Sequence, residues 1–289
     1  MAESSNSVLI TGCSSGIGHE TARHLAERGW NVFATARRPE SIADLADAGC
    51  HALALDVTDE ESMRTAVAAV ESEVGAIGAL VNNAGYSQSG AIETVPLDLV
   101  RTQFETNVFG LIRMSQLVLP GMRRARSGRI VNISSMGGKL TFPGGGVYHG
   151  TKHAVEAISD AMRPEVRCFG IQVVVIEPGL IVTRFGETAA GSIGEAARKP
   201  AAEAGDDPYA AFNAAVAAQT EGAYKGPMAK LGGGPDAVAK VIEKALTARR
   251  PRARYKVTAS ARMAMGLRRL LPDRAWDAAM RSQFPWPCT

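Results

Sequence analysis

Long apolar runs are missing from this 289-residue chain; none approaches the roughly 20 residues that span a bilayer. Cysteine is scarce. Cys13, Cys50, Cys168 and Cys288 are scattered with no CxxC pair, which excludes a disulfide framework and the usual structural zinc sites. No other run has metal-ligand spacing, and reduced thiols in a cytoplasmic protein are the simplest reading. A large excess of one charge is also lacking: the net charge is +3, against the clustered basic face of a nucleic-acid binder. The opening MAESSNS has none of the basic-then-apolar character of a signal peptide. With 46% hydrophobic and 21% charged residues, what remains is the composition of a soluble globular protein, in a chain long enough to bury a substantial core.

Strand-like and helix-like segments alternate through the first two-thirds, the pattern of a doubly wound parallel sheet. Strands are expected at Ser7 to Thr11, Asn31 to Ala36, Cys50 to Leu55, Ala79 to Val81, Arg129 to Ile133, Ile171 to Ile176 and Arg254 to Val257. Helices are expected at Gly16 to Arg28, closed by Gly29, and at Asp59 to Glu73, with Asp59 as cap. A long stretch from Leu97 to Arg124 is expected to bend or divide at Pro120, which lacks an amide donor. Another helix should run from Tyr148 to Cys168, where Pro164 costs about 3 kcal/mol unless a local bend accommodates it.

Chemistry concentrates in Ser135 to Lys152, SMGGKLTFPGGGVYHGTK. Tyr148 and Lys152, four residues apart, share one helix face. An ammonium there favours the phenolate and lowers a pKa that is ordinarily about 10, so the tyrosine can exchange a proton with an alcohol oxygen. Alone, that spacing is common and says little. Ser135 follows an apolar strand and so lies at a strand's carboxyl end, where such sheets place ligands. His149 and His153 occupy other faces of the helix and read as surface or packing residues. In the turn after the first strand, Gly12, Ser14, Ser15, Gly16, Ile17 and Gly18 can bring backbone amides and a helix N-terminus to bear on a pyrophosphate, although in isolation the run also suits an ordinary glycine-rich turn. Arg37 and Arg38 follow the second strand, where an acid would bond a ribose 2′-hydroxyl and an arginine accommodates a 2′-phosphate. NADP(H) is favoured over NAD(H), although two arginines before Pro39 also suit a solvated turn.

TGCSSGIG, NNAG at Asn82 to Gly85, Asn107 in NVFG, Ser135 and YHGTK, in that order, resemble the short-chain dehydrogenase/reductase family, closely over residues 7 to 185. The resemblance implies a single Rossmann-type domain over residues 1–289 and catalysis by Asn107, Ser135, Tyr148 and Lys152. It also implies that Asp56 and Val57 border the adenine, and that Asn83, Ala84 and Gly85 lie beside the cofactor. Lys152 would hold the nicotinamide ribose, and Pro178, Gly179 and Thr183 of a PGxxxT segment the carboxamide. Asn107, mid-helix, would organise a water in a relay from Lys152. Relatives pair through two long helices, here Leu97 to Arg124 and Tyr148 to Cys168, so a homodimer or homotetramer is expected.

Residues 184 to 233 loosen into alanine, glycine and short helical pieces such as Tyr209 to Gln219. The resemblance makes this the substrate cover, either a lid or linker helices. A helix from Asp236 to Thr247 precedes a tail of one or two helices from Ala259 to Phe284, broken at Pro272. Its arginines alternate with Met, Leu and Trp. Packing on the domain or a second subunit is favoured over contact with anionic lipid. This tail and the ATARR turn resemble the steroid- and retinol-dehydrogenase branch.

The expected activity is an NADP(H)-dependent oxidoreductase interconverting a carbonyl and a secondary alcohol on an apolar or bulky small molecule, without metal. An NAD-linked alcohol dehydrogenase with the same site and a non-catalytic dinucleotide-binding regulator are the alternatives.

Overall fold

Val8, Leu9 and Ile10 are fully buried, yet successive side chains point to opposite layers: Val8 and Ile10 into one core, Leu9 into another. A strand apolar on both faces must be covered twice. The computed structural model, which describes residues 6–183, 208–225 and 227–284, shows how this is done.

All seven expected strands are present: β1 Ser7–Ile10, β2 Asn31–Ala36, β3 His51–Ala54, β4 Ala79–Asn82, β5 Gly128–Ile133, β6 Ile171–Glu177 and β7 Arg254–Lys256. They form one parallel sheet in the order β3-β2-β1-β4-β5-β6-β7. Helix α1 (Gly16–Ala26), the short helix α2 (Ala43–Asp47) and the helix Pro235–Thr247 pack against the face bearing Val8, Val81, Val131 and Val174. Helices α3 (Glu60–Val74), α5 (Gly110–Ala125) and α6 (Gly146–Arg167) cover the face bearing Leu9, Leu80, Ile130 and Val173. Arg129 of β5 is partly buried and donates to the carbonyls of Ala245 and Leu246, satisfying one helix end from the sheet. Asp59 caps α3 through the amides of Glu61 and Ser62, as expected.

One expectation about a proline needs correction. The Leu97 to Arg124 stretch is interrupted at Glu105–Phe109, not at Pro120. Helix α4 (Leu97–Phe104) passes into one π-helical turn and then into α5, which contains Pro120. The cause lies at Asn107, whose side chain is held by the backbone of Tyr86 and by Thr151. A wider turn sets that side chain inward. Helix α6 runs past Pro164 to Arg167, which places the proline in its final turn, well beyond Tyr148 and Lys152.

The tail forms two helices, Ala259–Leu270 and Asp273–Arg281, separated at Pro272 as expected. Ala261, Met265 and Trp276 are buried against Leu140 from the segment after β5, with Phe142 and Met280 packed around them. The Trp276 indole donates to the Thr141 carbonyl at 3.3 Å. Part of the tail's apolar surface is therefore domain packing. A helix at Ala210–Lys225 contains the expected Tyr209 to Gln219 piece almost entirely. Much of the remaining 184 to 233 region lies outside the described residues, as does Cys288. Among the described residues, no helix is long and apolar enough to cross a membrane.

Candidate active site

The carboxyl ends of β1 to β6 open into one cavity of about 1350 Å³. The strand order reverses at β1 and β4, and the cavity lies outside that switch point, where α/β sheets bind ligands. Of the expected site residues, all but Gly18 and Asn107 line it. Those two stand directly behind it.

The glycine-rich turn is built for close approach. Gly12 has φ +73°, and a Cβ there would lie 2.8 Å from the Ala84 backbone. Gly18 packs against the Asn83 amide and the Gly12 carbonyl. Asn83 donates to the carbonyls of Thr11 and Gly12, both at 2.9 Å. The Thr11 hydroxyl in turn accepts from the amides of Asn83 and Ala84 at 3.0 Å. Thr11 is thus the joint between the turn and NNAG, a part sequence reading missed because a strand-end threonine has no distinctive spacing. Ser15 precedes α1 without a side-chain capping bond, and the first turn holds no acid. The helix's free amides and positive dipole end lie at the cavity wall.

Arg37 extends from the end of β2 with its guanidinium exposed at the cavity edge. Asp56 accepts from the amide and hydroxyl of Thr58 at 2.9 and 2.8 Å through Oδ1, fixing the turn that brings Val57 to the wall. Beyond β6, the Leu180 amide donates to Ser260 at 3.2 Å, and Thr258 and Ser260 are bonded at 2.8 Å. This brace comes from a region where the motif pattern had ended, and it holds Pro178 to Thr183 in place.

Ser135, Tyr148 and Lys152 all line this cavity. Ser135 accepts from the Gly137 amide at 3.0 Å, which leaves the hydroxyl hydrogen for another acceptor. The buried Lys152 ammonium donates to the Ile133 carbonyl at 2.8 Å and lies 5.8 Å from the Tyr148 ring centre. Burial pushes the Lys152 pKa down to about 8, and the charge of Glu156 one turn along opposes that shift. Asn107 donates to the Tyr86 carbonyl at 2.9 Å and to Thr151 at 3.1 Å, and accepts from the Tyr86 amide at 3.1 Å. Both of its amide hydrogens are engaged within the protein. The side chain fixes the loop after NNAG against α6.

His149 is buried rather than at the surface, and packs against Gly137 and Gly145 while lining the cavity. Its Nδ1 accepts from the Phe142 amide at 3.3 Å. Burial, reinforced by His153, holds its pKa down at about 4, so it is neutral at pH 7. Packing is the role its position supports, and His153 is exposed on another face. Over the cavity lie Val216 and Gln219 from Ala210–Lys225, and Gln283 and Phe284 from the end of the tail. Gln219 donates to the Gln283 carbonyl, and the Phe212 and Phe284 rings are 6.2 Å apart. No cluster of three or more His, Cys, Asp or Glu side chains suited to a metal ion occurs among the described residues.

A parallel sheet with this crevice, glycine turn and Ser-Tyr-Lys group defines an oxidoreductase that binds a dinucleotide. The chain belongs to the short-chain dehydrogenase/reductase family: the model described as short chain dehydrogenase matches residues 6–192. It is 34% identical over 276 residues to an uncharacterized oxidoreductase, YbbO, of Escherichia coli strain K12, covering 95% of this chain and 94% of that one. It is 34% identical over 279 residues to an NADPH-dependent 3-dehydrocapnine reductase of Ornithobacterium rhinotracheale, covering 93% and 94%. A solved short-chain dehydrogenase from Streptomyces avermitilis superposes with TM-score 0.76 at 32% identity, over 97% of this chain and 99% of the other.

Proposed function

We propose that this chain is an NADP(H)-dependent oxidoreductase that interconverts a ketone and a secondary alcohol on an apolar or bulky substrate. The observation that carries this reading is the single cavity shared by the glycine turn, Arg37 and the Ser135-Tyr148-Lys152 group. The cradle fits a dinucleotide: Gly12 leaves no room for a side chain, and the uncapped α1 terminus offers amides to a pyrophosphate. Gly12 to Gly18, Arg37, Asp56, Val57, Asn83 to Gly85 and Pro178 to Thr183 would hold it, with Lys152 on the nicotinamide ribose. When bound, the cofactor supplies or accepts the hydride.

The remaining work belongs to the chain. Tyr148 passes a proton to the carbonyl oxygen in reduction, or takes one from the alcohol in oxidation. Ser135 donates a hydrogen bond to the same oxygen and stabilises its developing charge. Lys152 sets a positive charge beside the phenol. Asn107 holds the Tyr86 loop and Thr151 so that a relay from Lys152 keeps its geometry. NADP(H) is favoured by Arg37 and by the NADPH dependence in the name of the Ornithobacterium relative. Free thiols such as Cys13 and Cys50 suit the cytoplasm. Leu97 and Phe109, 59% and 52% exposed along the first long helical stretch, suit pairing of two or four copies there.

The test is oxidation of NADPH and of NADH by purified protein with a panel of ketones, beside Tyr148→Phe. The reading predicts turnover that prefers NADPH and falls by about 10²- to 10⁴-fold in the variant, with cofactor binding retained. Turnover that survives loss of the phenol removes Tyr148 as proton donor. NADPH binding without turnover on any ketone favours a regulator.

A further inference from the structure

The helix Ala259–Leu270 has one apolar face more than packing requires. Ala261 and Met265 are buried with Trp276, and Ser260 and Ala264 line the cavity. Met263, Leu267 and Leu270 are 51%, 50% and 82% exposed. At about 100° per residue, these three fall within about 60° of the helix surface, and the cavity-lining face begins about 20° beyond Leu267. The outer stripe and the cavity wall are adjacent strips of one helix.

The stripe's other flank is basic. Arg262 and Arg269 are exposed there, and the helix contains no acidic residue. Arg268 is already engaged, paired with Asp273 at 2.6 Å and stacked on Trp276, while Arg274 is exposed in the next helix. The acids of that second helix are Asp273, so paired, and Asp277. An antiparallel contact with a second copy would set the arginine flank against its own image. A surface combining hydrocarbon with negative headgroups complements both flanks.

We propose that the outer face of Ala259–Leu270 docks on an anionic lipid surface, and that an amphiphilic substrate passes from it across the Leu267 side into the cavity. The docking stands on the helix alone; the passage rests on the oxidoreductase reading.

The test is co-sedimentation of the full chain with phosphatidylcholine vesicles, with and without phosphatidylglycerol. Binding to the phosphatidylglycerol vesicles, reversed by salt, is expected. Met263→Ser/Leu267→Ser/Leu270→Ser should weaken it at least about tenfold, and Arg262→Gln/Arg269→Gln should abolish the preference for phosphatidylglycerol. All substituted side chains are exposed, so melting temperature and turnover of a short, water-soluble ketone should match wild type in both variants. Turnover of a long-chain ketone carried in the vesicles should fall with binding. No wild-type binding to phosphatidylglycerol vesicles, or undiminished binding by the triple serine variant, overturns the proposal. So does a lipid-free dimer that the triple variant abolishes, which would assign the stripe to a second copy. Vesicle binding without turnover of any ketone counts against the oxidoreductase reading and leaves the docking intact.

Discussion

Lys152 is buried at the cavity wall, and burial works against its charge. Its pKa of about 8 keeps the ammonium largely protonated at pH 7 and loses it just above. If that charge supports proton transfer, turnover at saturating cofactor should decline as pH rises through about 8. Glu156 pulls the Lys152 pKa upward, so Glu156→Gln should move the alkaline limb to lower pH, by up to about one unit. A pH–rate profile of the two proteins reads this directly, and an unmoved limb separates Glu156 from catalysis. Arg37 poses the matching question for the cofactor. A charge-assisted bond to a 2′-phosphate contributes about 1.5–3 kcal/mol, so Arg37→Asp should cut the preference for NADPH by about tenfold to a hundredfold. The ratio of kcat/KM values for NADPH and NADH measures it.

Among the elements, the segment after β6 shows how the tail reaches into the site. A Cβ on Gly179 would lie 2.3 Å from the Thr258 hydroxyl and 2.4 Å from that of Ser260. Gly179→Ala should therefore push Pro178 to Thr183 off the tail helix, at about 1–3 kcal/mol for overpacking. A melting temperature lower by several degrees, and a smaller rise on adding NADPH, are the expected results of a thermal-shift measurement. That brace was not legible in the sequence, because Thr258 and Ser260 sit some 80 residues from the motif they support. The central strands β1, β4, β5 and β6 were legible, since a sheet covered on both faces writes itself in runs of Val, Leu and Ile, whereas the edge strands β3 and β7 carry no such run. The Tyr148–Lys152 pair of the candidate site was legible because the two residues share a helix, and so carry their geometry in their spacing. Asn107 was legible by resemblance, but its π-turn was not: a composition that suits an α-helix says nothing of the Tyr86 backbone that captures the side chain. His149 was hidden for a related reason. Gly137 and Gly145 make the space it fills, and only folding brings all three together.

For the whole molecule, the sheet's carboxyl edge rests on buried charge. Glu177, at the end of β6, is fully buried, with its carboxylate 3.5 Å from Arg254 of β7. Arg254 also pairs with Glu156 at 2.9 Å and with Asp160, joining β7 to α6, and Lys139 reaches Glu156 at 3.0 Å. Burial, then the charge of Glu156, pushes the Glu177 pKa up to about 7, against the opposing pull of Lys139, Arg254 and Lys256. The unfolded chain ionises this group near 4.5. Between those values the folded state binds more protons, so stability falls as pH rises through the window and the loss is complete above pH 7. His149 acts in the opposite sense. Its folded pKa of about 4 lies below the ordinary 6.5, so its contribution to stability falls as pH drops from about 6.5 to 4. From pH 4.5 to 6.5 the two titrations offset each other, each bounded by about 1.4 kcal/mol per pH unit. Glu177→Gln removes one of them. The variant should gain stability relative to wild type from pH 5 to pH 8, by up to a few kcal/mol. Urea unfolding of both proteins at the two pH values measures that difference. An equal effect of the substitution at pH 5 and pH 8 would mean that Glu177 is ionised in the fold at pH 5, held so by Arg254 in spite of its burial.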